Sequence, residues 1–381
     1  MKLEDLLSEE ELAIQKMAYD FVKTEFMPLV HDHFKNETFP EDLIPRLGEL
    51  GLLGANLPQE YGCAGVNNVA YGLIMQELER GDSGLRSFAS VQGALVMYPI
   101  FQYGSEKQRN SWLPRLASGE AVGCFGLTEA DYGSNPAGMM TRAERDGSSY
   151  ILNGSKMWIT NGSLADIALV WAKDENDTVR GFLLEKELPG FTARKMKGKL
   201  SLRASDTAEL VLDDCRVTKE QMLPGVEGMK GPLSCLTQAR YGIAWGALGS
   251  AMACYETALS YAKDRIQFDK PIAAFQLTQK KLVEMVTEIT KAQLLVLQLG
   301  RLKDQDRSQH EQVSMAKMNN VAVARDIARS AREILGANGI MEDYDVMRHL
   351  MNMETVYTYE GTHEIHTLIL GSHITGIEAF R

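Results

Sequence analysis

Hydrophobic residues recur with helical spacing in the first and last parts of the chain. The clearest apolar face holds four residues at positions i, i+3, i+4 and i+7: Leu282, Met285, Val286 and Ile289. Near the start, Ser8 and Glu11 form a capping-box pattern ahead of an amphipathic run. We therefore predict an N-terminal helical domain over residues 1–120 and a C-terminal helical domain over residues 231–381.

The period of the pattern changes between these two regions. Apolar residues occupy alternate positions at Ala208, Leu210 and Leu212, and residues 167–172 form an apolar run bounded by polar residues. These features predict a β domain over residues 121–230. Helices followed by strands and then by helices indicate an α+β fold rather than a wound parallel sheet.

Composition and charge narrow the possible partners. The net charge of −11 argues against nucleic acid or an anionic membrane as the main partner, so an anionic substrate must meet a local cation. The five cysteines form no CxxC pair, which argues against a disulfide framework or a zinc site. The acidic N-terminus lacks signal or transit character, and no apolar run is long enough to span a membrane. We expect a cytoplasmic protein.

Glycine-rich phosphate-binding motifs are missing from the sequence. No GxGxxG motif follows a predicted strand, and no P-loop is present. A Rossmann domain is therefore not supported, and any dinucleotide must be bound in another way.

Six short motifs resemble, in order, those of the acyl-CoA dehydrogenases. They are GLTE at 126–129, GSN at 133–135, KMWITN at 156–161, DRIQF at 264–268, GANG at 336–339 and YEGT at 359–362. The resemblance runs essentially from end to end. It implies a middle β-barrel or sandwich domain, a C-terminal four-helix bundle, one FAD per subunit, a homotetramer and electron transfer to an electron-transferring flavoprotein.

Further segments are similar to the glutaryl-CoA dehydrogenase subgroup of that family. They are ELERGDSGLRS at 77–87, FLLEK at 182–186, SLRAS at 201–205, ARYGIAWG at 239–246 and LGRLKDQD at 299–306. The resemblance implies oxidation of glutaryl-CoA to glutaconyl-CoA, decarboxylation to crotonyl-CoA, and a place in lysine and tryptophan degradation.

The resemblance makes Glu360 the catalytic base. Dehydrogenation of a thioester removes an α-proton and a β-hydride, and a carboxylate in a dry pocket is basic enough to take the proton. An isolated glutamate is more often a solvated surface acid, but the surrounding YEGT motif favours the base.

The resemblance also implies which residues contact FAD. Those on the flavin and pyrophosphate side are Phe125, Leu127, Thr128, Gly133, Ser134, Trp158 and Thr160. Arg265 and Phe268 match residues that reach the FAD of a neighbouring subunit. Further positions on the adenosine side of FAD are matched by Glu333, Gly336, Gly339, Thr362 and Glu364. Trp158 has an alternative interpretation as a core aromatic. Asn135, Glu333 and Ala337 depart from the residues common in relatives.

The resemblance places the acyl-CoA substrate against a second group of residues. Arg86, supported by Glu79, Ser87 and Tyr359, matches the clamp for the glutaryl carboxylate, while Ser134 and Arg240 match the CoA side. Glu79 and Arg86 are seven residues apart, so two helical turns bring them to one face. The alternatives are a surface pair for Glu79 and Arg86, and a structural ion pair for Arg240.

The sequence is also compatible with other functions. The chain could oxidise another acyl-CoA or an acyl-carrier-protein thioester, could stop before decarboxylation, or could be a flavin-bearing scaffold without the chemistry. Two histidines and a glutamate stand at a spacing suited to metal ligands: His363, Glu364 and His366. Because the resemblance places this segment beside FAD, no metal is expected.

Overall fold

The N-terminal region consists of helices joined by short turns. The computed structural model describes residues 3–380. The helices are α1 (Glu9–Phe21), α2 (Met27–Asn36), α3 (Ile44–Glu49), α4 (Asn68–Gly81), α5 (Ser83–Ser90), α6 (Tyr98–Tyr103) and α7 (Glu106–Ser118). Ser8 accepts from the backbone N–H of Glu11 and the Glu11 side chain accepts from that of Ser8, so the predicted capping box is confirmed.

Two π-helical stretches continue these helices without a break. Val22–Phe26 joins α1 to α2, and Val91–Met97 joins α5 to α6. Such π-helical turns occur often near functional sites. The second stretch does so here, because Val91 lines the cavity described below.

The central region is a mixed sheet. Its strands are β1 (Gly123–Gly126), β2 (Arg142–Asp146), β3 (Ser149–Thr160), β4 (Ile167–Lys173), β5 (Val179–Glu185), β6 (Phe191–Lys195) and β7 (Thr207–Thr218). The strand order is β1-β4-β2-β3-β7-β6, and β5 pairs antiparallel with β4. The alternating residues of β7 point inward as predicted, and β4, buried on both faces, explains the continuous apolar run.

The C-terminal region returns to helices. Its elements are α8 (Lys230–Asp264), a small hairpin of β8 (Ile266–Gln267) and β9 (Lys270–Pro271), α9 (Gln276–Asp304), α10 (His310–Leu335), α11 (Val346–Thr358) and α12 (His363–Thr375). The helical, sheet and helical order confirms the predicted α+β fold. The last N-terminal helix ends at Ser118, and the first strand begins at Gly123. The domain limits at residues 120 and 230 stay a prediction.

The predicted apolar face of α9 is narrower than expected. Leu282, Met285 and Ile289 are buried, but Val286 is 39% exposed. Val286 follows Met285 directly and so lies about 100° further round the helix. Packing against the rest of this chain therefore covers three of the four predicted positions.

Helices α4 and α8 approach each other closely through glycine. A Cβ atom on Gly246 would lie 2.1 Å from the Oε2 atom of Glu79, and one on Gly249 would lie 1.8 Å from the carbonyl oxygen of Gln76. Only hydrogen at these positions permits the contact. The approach buries Glu79 completely, which places its carboxylate at the site described below.

Three further findings concern features that the sequence analysis did not predict. Within residues 3–380, no helix is both long and apolar enough to cross a bilayer. The same residues contain no cluster of three or more His, Cys, Asp or Glu side chains suited to a metal ion. All five cysteines are buried free thiols.

Candidate active site

A cavity of about 1460 Å³ lies between the sheet and the C-terminal helices. Twelve of the predicted site residues line it: Ser87, Phe125, Leu127, Thr128, Gly133, Ser134, Trp158, Thr160, Arg240, Tyr359, Glu360 and Thr362. Residues that are far apart in the sequence thus meet around one space, which is large enough for a drug-sized or larger ligand.

Glu360 lies on a short turn between α11 and α12. Tyr359 caps the end of α11, and the Thr362 hydroxyl accepts from the backbone N–H of Ile365 at 3.2 Å to cap the start of α12. Glu360 has φ of +52° and Gly361 has φ of +99°. A left-handed glutamate is strained by about 1–3 kcal/mol, so the surrounding structure must hold it.

Two buried cations hold this turn by its backbone. The Nζ atom of Lys317 donates to the carbonyl oxygens of Tyr359 at 3.0 Å and of Gly361 at 2.8 Å. The Nε atom of Arg240 donates to the carbonyl oxygen of Glu360 at 2.7 Å. Arg240 has no carboxylate within ion-pair distance among residues 3–380, so it is not the structural ion pair considered as an alternative.

Lys317 was not predicted from the sequence. It lies on the buried face of α10 with Val313, Ala316 and Val321. The sequence signal that could have identified it is a lysine at an apolar position of a predicted helix, because lysine is seldom fully buried unless its amine is paired.

The Glu360 carboxyl group lies in a largely dry environment. The residue is half-buried, and its Oε2 atom is buried without a hydrogen-bond partner. Burial raises the pKa of this carboxyl above its ordinary value, while the charges of Arg86, Arg240 and Lys317 oppose the rise. The carboxylate is thus a stronger base than an exposed glutamate but still ionisable.

Arg86 forms a buried ion pair behind Ser87 and Tyr359, two residues that line the cavity. Its Nε atom donates to Glu79 Oε2 at 2.6 Å, and both side chains are 0% exposed, so they are not the surface pair considered as an alternative. One terminal nitrogen donates to the Tyr359 hydroxyl, and the other, Nη1, is buried without a partner. Ser87 and Tyr359, whose hydroxyls are 3.3 Å apart, line the cavity in front of Arg86.

The sheet supplies the opposite wall of the cavity. Trp158 has φ of +64° and is 60% exposed, so it is not a core aromatic and offers a flat apolar surface to a ligand. On the same strand, Lys156 Nζ donates to Glu129 at 2.8 Å and to the Leu127 carbonyl at 3.2 Å. Burial lowers the pKa of Lys156 to about 8, and Glu129 opposes that change. This pair, which the sequence prediction also missed, ties the residue 127–141 loop to β3.

The remaining predicted cofactor residues lie away from the cavity lining. Arg265 and Gly336 border a separate hollow, and the Phe268 side chain is 87% exposed. Glu333 pairs with Lys281 at 2.7 Å, Gly339 is buried, and Glu364 is exposed in the first turn of α12. The fold of one chain therefore does not bring Arg265, Phe268 or Gly336 to the residues that line the cavity.

We expect Gly361→Ala to lower the free energy of unfolding by about 1–3 kcal/mol, because the backbone here is left-handed. The added Cβ would also lie 3.0 Å from His366 Nε2 and 3.1 Å from Arg240 Nη2. Urea unfolding measures the change. Gly371→Ala, in α12 with nothing within 4 Å of its Cβ position, is the matched control and is expected to cause no loss. Equal stability of the two variants would contradict the prediction.

Comparison with known proteins identifies the relationship. The sequence profiles of the acyl-CoA dehydrogenase N-terminal, middle and C-terminal domains match residues 8–120, 124–215 and 227–375. A glutaryl-CoA dehydrogenase from Mycobacterium smegmatis, solved in complex with FADH2, superposes with a TM-score of 0.98 at 53% identity, covering 99% of this chain and 97% of that one.

Two curated relatives match over nearly the same span. An acyl-CoA dehydrogenase of Bacillus subtilis is 37% identical over 376 residues, 97% of this chain and 99% of the relative. The human short-chain specific acyl-CoA dehydrogenase is 34% identical over 374 residues, 97% of this chain and 90% of the relative. With all three domain profiles matched in order and the predicted base lining a shared cavity, the chain belongs to the acyl-CoA dehydrogenase family.

Proposed function

We propose that this acyl-CoA dehydrogenase binds FAD, oxidises glutaryl-CoA to glutaconyl-CoA, and releases CO2 to give crotonyl-CoA. The observation that carries the choice of substrate is the buried Arg86 guanidinium, which has one unpartnered nitrogen and lies directly behind the cavity residues Ser87 and Tyr359. The similarity to the Mycobacterium smegmatis glutaryl-CoA dehydrogenase supports the same choice.

The residues present fit FAD. The cavity wall combines the exposed indole of Trp158 with the hydroxyls of Thr128, Ser134 and Thr160, a surface suited to a flat ring system with polar edges. The residues proposed to hold it in one subunit are Phe125, Leu127, Thr128, Gly133, Ser134, Trp158, Thr160, Thr362 and Glu364. Bound FAD supplies the acceptor for the β-hydride.

Glu360 is proposed to take the α-proton of the thioester. Its carboxylate lines the cavity, and the lack of a partner on Oε2 leaves that atom free to accept the proton. The backbone N–H of Glu360 has no acceptor within residues 3–380. It is therefore available to donate to the thioester carbonyl, on which negative charge develops as the proton leaves.

Arg86 is proposed to bind the distal carboxylate of the glutaryl chain. An unpaired carboxylate costs several kcal/mol to bury, and a guanidinium nitrogen without a partner offsets that cost. After oxidation, the electrons of the bond to the departing carboxylate pass into the enoyl thioester and CO2 leaves. The proton held by Glu360 then returns to the γ-carbon. Arg240 and Ser134 are proposed to contact the CoA portion.

A second candidate is a dehydrogenase for an uncharged short acyl-CoA or acyl-carrier-protein thioester. The observation in its favour is that Ser87 and Tyr359 line the cavity whereas Arg86 lies behind them. The similarity to the human short-chain specific enzyme agrees with it. A glutaryl-CoA dehydrogenase that retains the carboxylate is a related alternative.

We also propose a homotetramer that passes electrons to an electron-transferring flavoprotein. Exposed apolar side chains cluster around the β8–β9 hairpin and the start of α9: Ile266, Phe268 and Leu277. A patch of this kind usually marks an interface. Burial there would bring Arg265 and Phe268 to the FAD of a neighbouring subunit, with Glu333, Gly336 and Gly339 proposed to lie on the adenosine side of FAD.

Anaerobic mixing of the purified yellow protein with glutaryl-CoA tests the proposal. We expect the oxidised flavin absorbance to bleach and CO2 to be released, with slower bleaching by butyryl-CoA. Bleaching without CO2 would support the enzyme that retains the carboxylate. Faster bleaching by butyryl-CoA would support the second candidate, and no bleaching by any acyl-CoA would contradict the proposed function.

A further inference from the structure

Lys317 is a buried amine without a carboxylate partner. Its side chain is 1% exposed, and within residues 3–380 no carboxylate lies within ion-pair distance of it. It donates hydrogen bonds to the carbonyl oxygens of Tyr359 and Gly361. Because burying an ammonium group on two carbonyls is costly, an apolar residue would serve a merely structural role at this position of α10 better.

The two bonds determine how the turn faces the cavity. A trans peptide is planar, so its C=O and N–H groups point in opposite directions. The peptide bond that joins Tyr359 to Glu360 is trans, since the described chain contains no cis peptide. Lys317 draws the Tyr359 carbonyl toward α10, and the N–H of Glu360 must therefore point away from Lys317.

The bond to Gly361 restrains the other side of the turn. Arg240 holds the Glu360 carbonyl between the two carbonyls that Lys317 binds, so three successive carbonyls accept from buried cations. Fixing the peptide planes on both sides of Glu360 keeps it at φ of +52°, an arrangement that an unrestrained glutamate seldom adopts.

We propose that Lys317 is a positioning residue that holds Glu360 so that both its carboxylate and its backbone N–H face the substrate thioester. This inference rests on the proposed function, because it assigns Lys317 to the same proton abstraction. None of the steps under the proposed function otherwise involves Lys317.

The charge of Lys317 also acts on Glu360. Charged or titratable groups reach this pair from the helices and the turn around it: Tyr71, Glu79, Arg86, Arg240, Tyr359, Glu364 and His366. Burial lowers the pKa of Lys317 to about 7, with the charge of Glu360 opposing, and burial and the nearby cations lower the pKa of His366 to about 2. While protonated, Lys317 lowers the pKa of Glu360, so its removal makes the base harder to deprotonate.

Two variants separate hydrogen bonding from charge. Lys317→Met removes both, whereas Lys317→Gln keeps N–H donors and removes only the charge. The measurement is anaerobic bleaching of bound flavin by glutaryl-CoA, or by butyryl-CoA if that bleaches the wild-type protein faster, followed across pH. Lys303→Met, on α9 and away from the cavity, is the matched control for loss of a partly buried lysine.

We expect Lys317→Met to slow bleaching about 10²-fold, the effect of losing one well-placed oxyanion donor. The dissociation constant for the thioester is expected to change much less. The rising limb of rate against pH should move up by about one unit in both Lys317 variants, since a nearby positive charge is lost. Lys317→Gln should recover roughly tenfold of the lost rate if donated hydrogen bonds orient the turn.

The possible results distinguish the positioning role of Lys317 from the proposed function. If the wild-type protein bleaches and Lys317→Met matches it in rate and pH profile, the positioning role is wrong while the proposed function stands. Equal loss in both Lys317 variants would also overturn the role of hydrogen bonding. Hydrogen–deuterium exchange of the peptide spanning 358–362 serves whether or not any substrate is found. Faster exchange in Lys317→Met than in Lys303→Met is expected, and no difference would overturn the proposal.

Discussion

Glu360→Gln is expected to slow substrate-driven bleaching of the flavin by about 10²–10⁴-fold, the usual contribution of a positioned general base. The amide has nearly the shape of the carboxylic acid but cannot take the α-proton. The bonds that Arg240 and Lys317 make to this turn involve backbone carbonyls, so they survive the substitution. The variant should therefore stay yellow and bind the CoA thioester.

The measurement is the bleaching rate constant after rapid anaerobic mixing. The matched control is Glu288→Gln, a substitution of the same kind on α9, where Glu288 pairs with Lys291 at the surface. It is expected to behave as the wild type. Wild-type bleaching should also accelerate as pH rises through the raised pKa of Glu360, because only the carboxylate form accepts the proton. Near-normal bleaching by Glu360→Gln would contradict the assignment.

Removing the Arg86 charge is expected to impair glutaryl-CoA selectively. A buried, hydrogen-bonded charge pair is worth about 2–5 kcal/mol when one partner is truncated, which corresponds to a loss of about 30-fold or more in kcat/KM. Butyryl-CoA has no distal carboxylate, so its kcat/KM should change little. The ratio of the two values is thus the quantity to measure.

An Arg86 variant also affects Glu79, the buried partner of Arg86. Replacing Arg86 alone would leave the Glu79 carboxylate buried without its partner, at a cost of about 3–5 kcal/mol of stability. The double variant Glu79→Gln with Arg86→Gln keeps the site polar and uncharged, and so separates recognition from folding. Ser83, which donates to Glu79 Oε1 at 2.8 Å, can still donate to the amide oxygen. An equal loss for both substrates in the double variant would make the pair structural.

Some features of the site could be predicted one residue at a time. Glu360 was found through the motif around it, and Arg86 with Glu79 through their spacing and resemblance. The resemblance named Trp158, but its alternative as a core aromatic could not be decided because exposure depends on which elements cover the ring. The burial of Lys317 was not predicted, because a lysine within a helix ordinarily faces solvent and no local pattern shows that this position of α10 faces the core.

The sequence by itself determined the order of helical, sheet and helical regions. The spacing of hydrophobic residues is a local property, so it can be recognised in the sequence without knowing which surfaces pack against each element. The tertiary structure alone decided how the turn at Glu360 is held and where the free nitrogen of Arg86 lies. The first depends on a bond between residues 120 positions apart, and the second on a contact spanning 273 positions. Contacts of that range exist only after the helices pack, because no local spacing specifies which distant side chains meet.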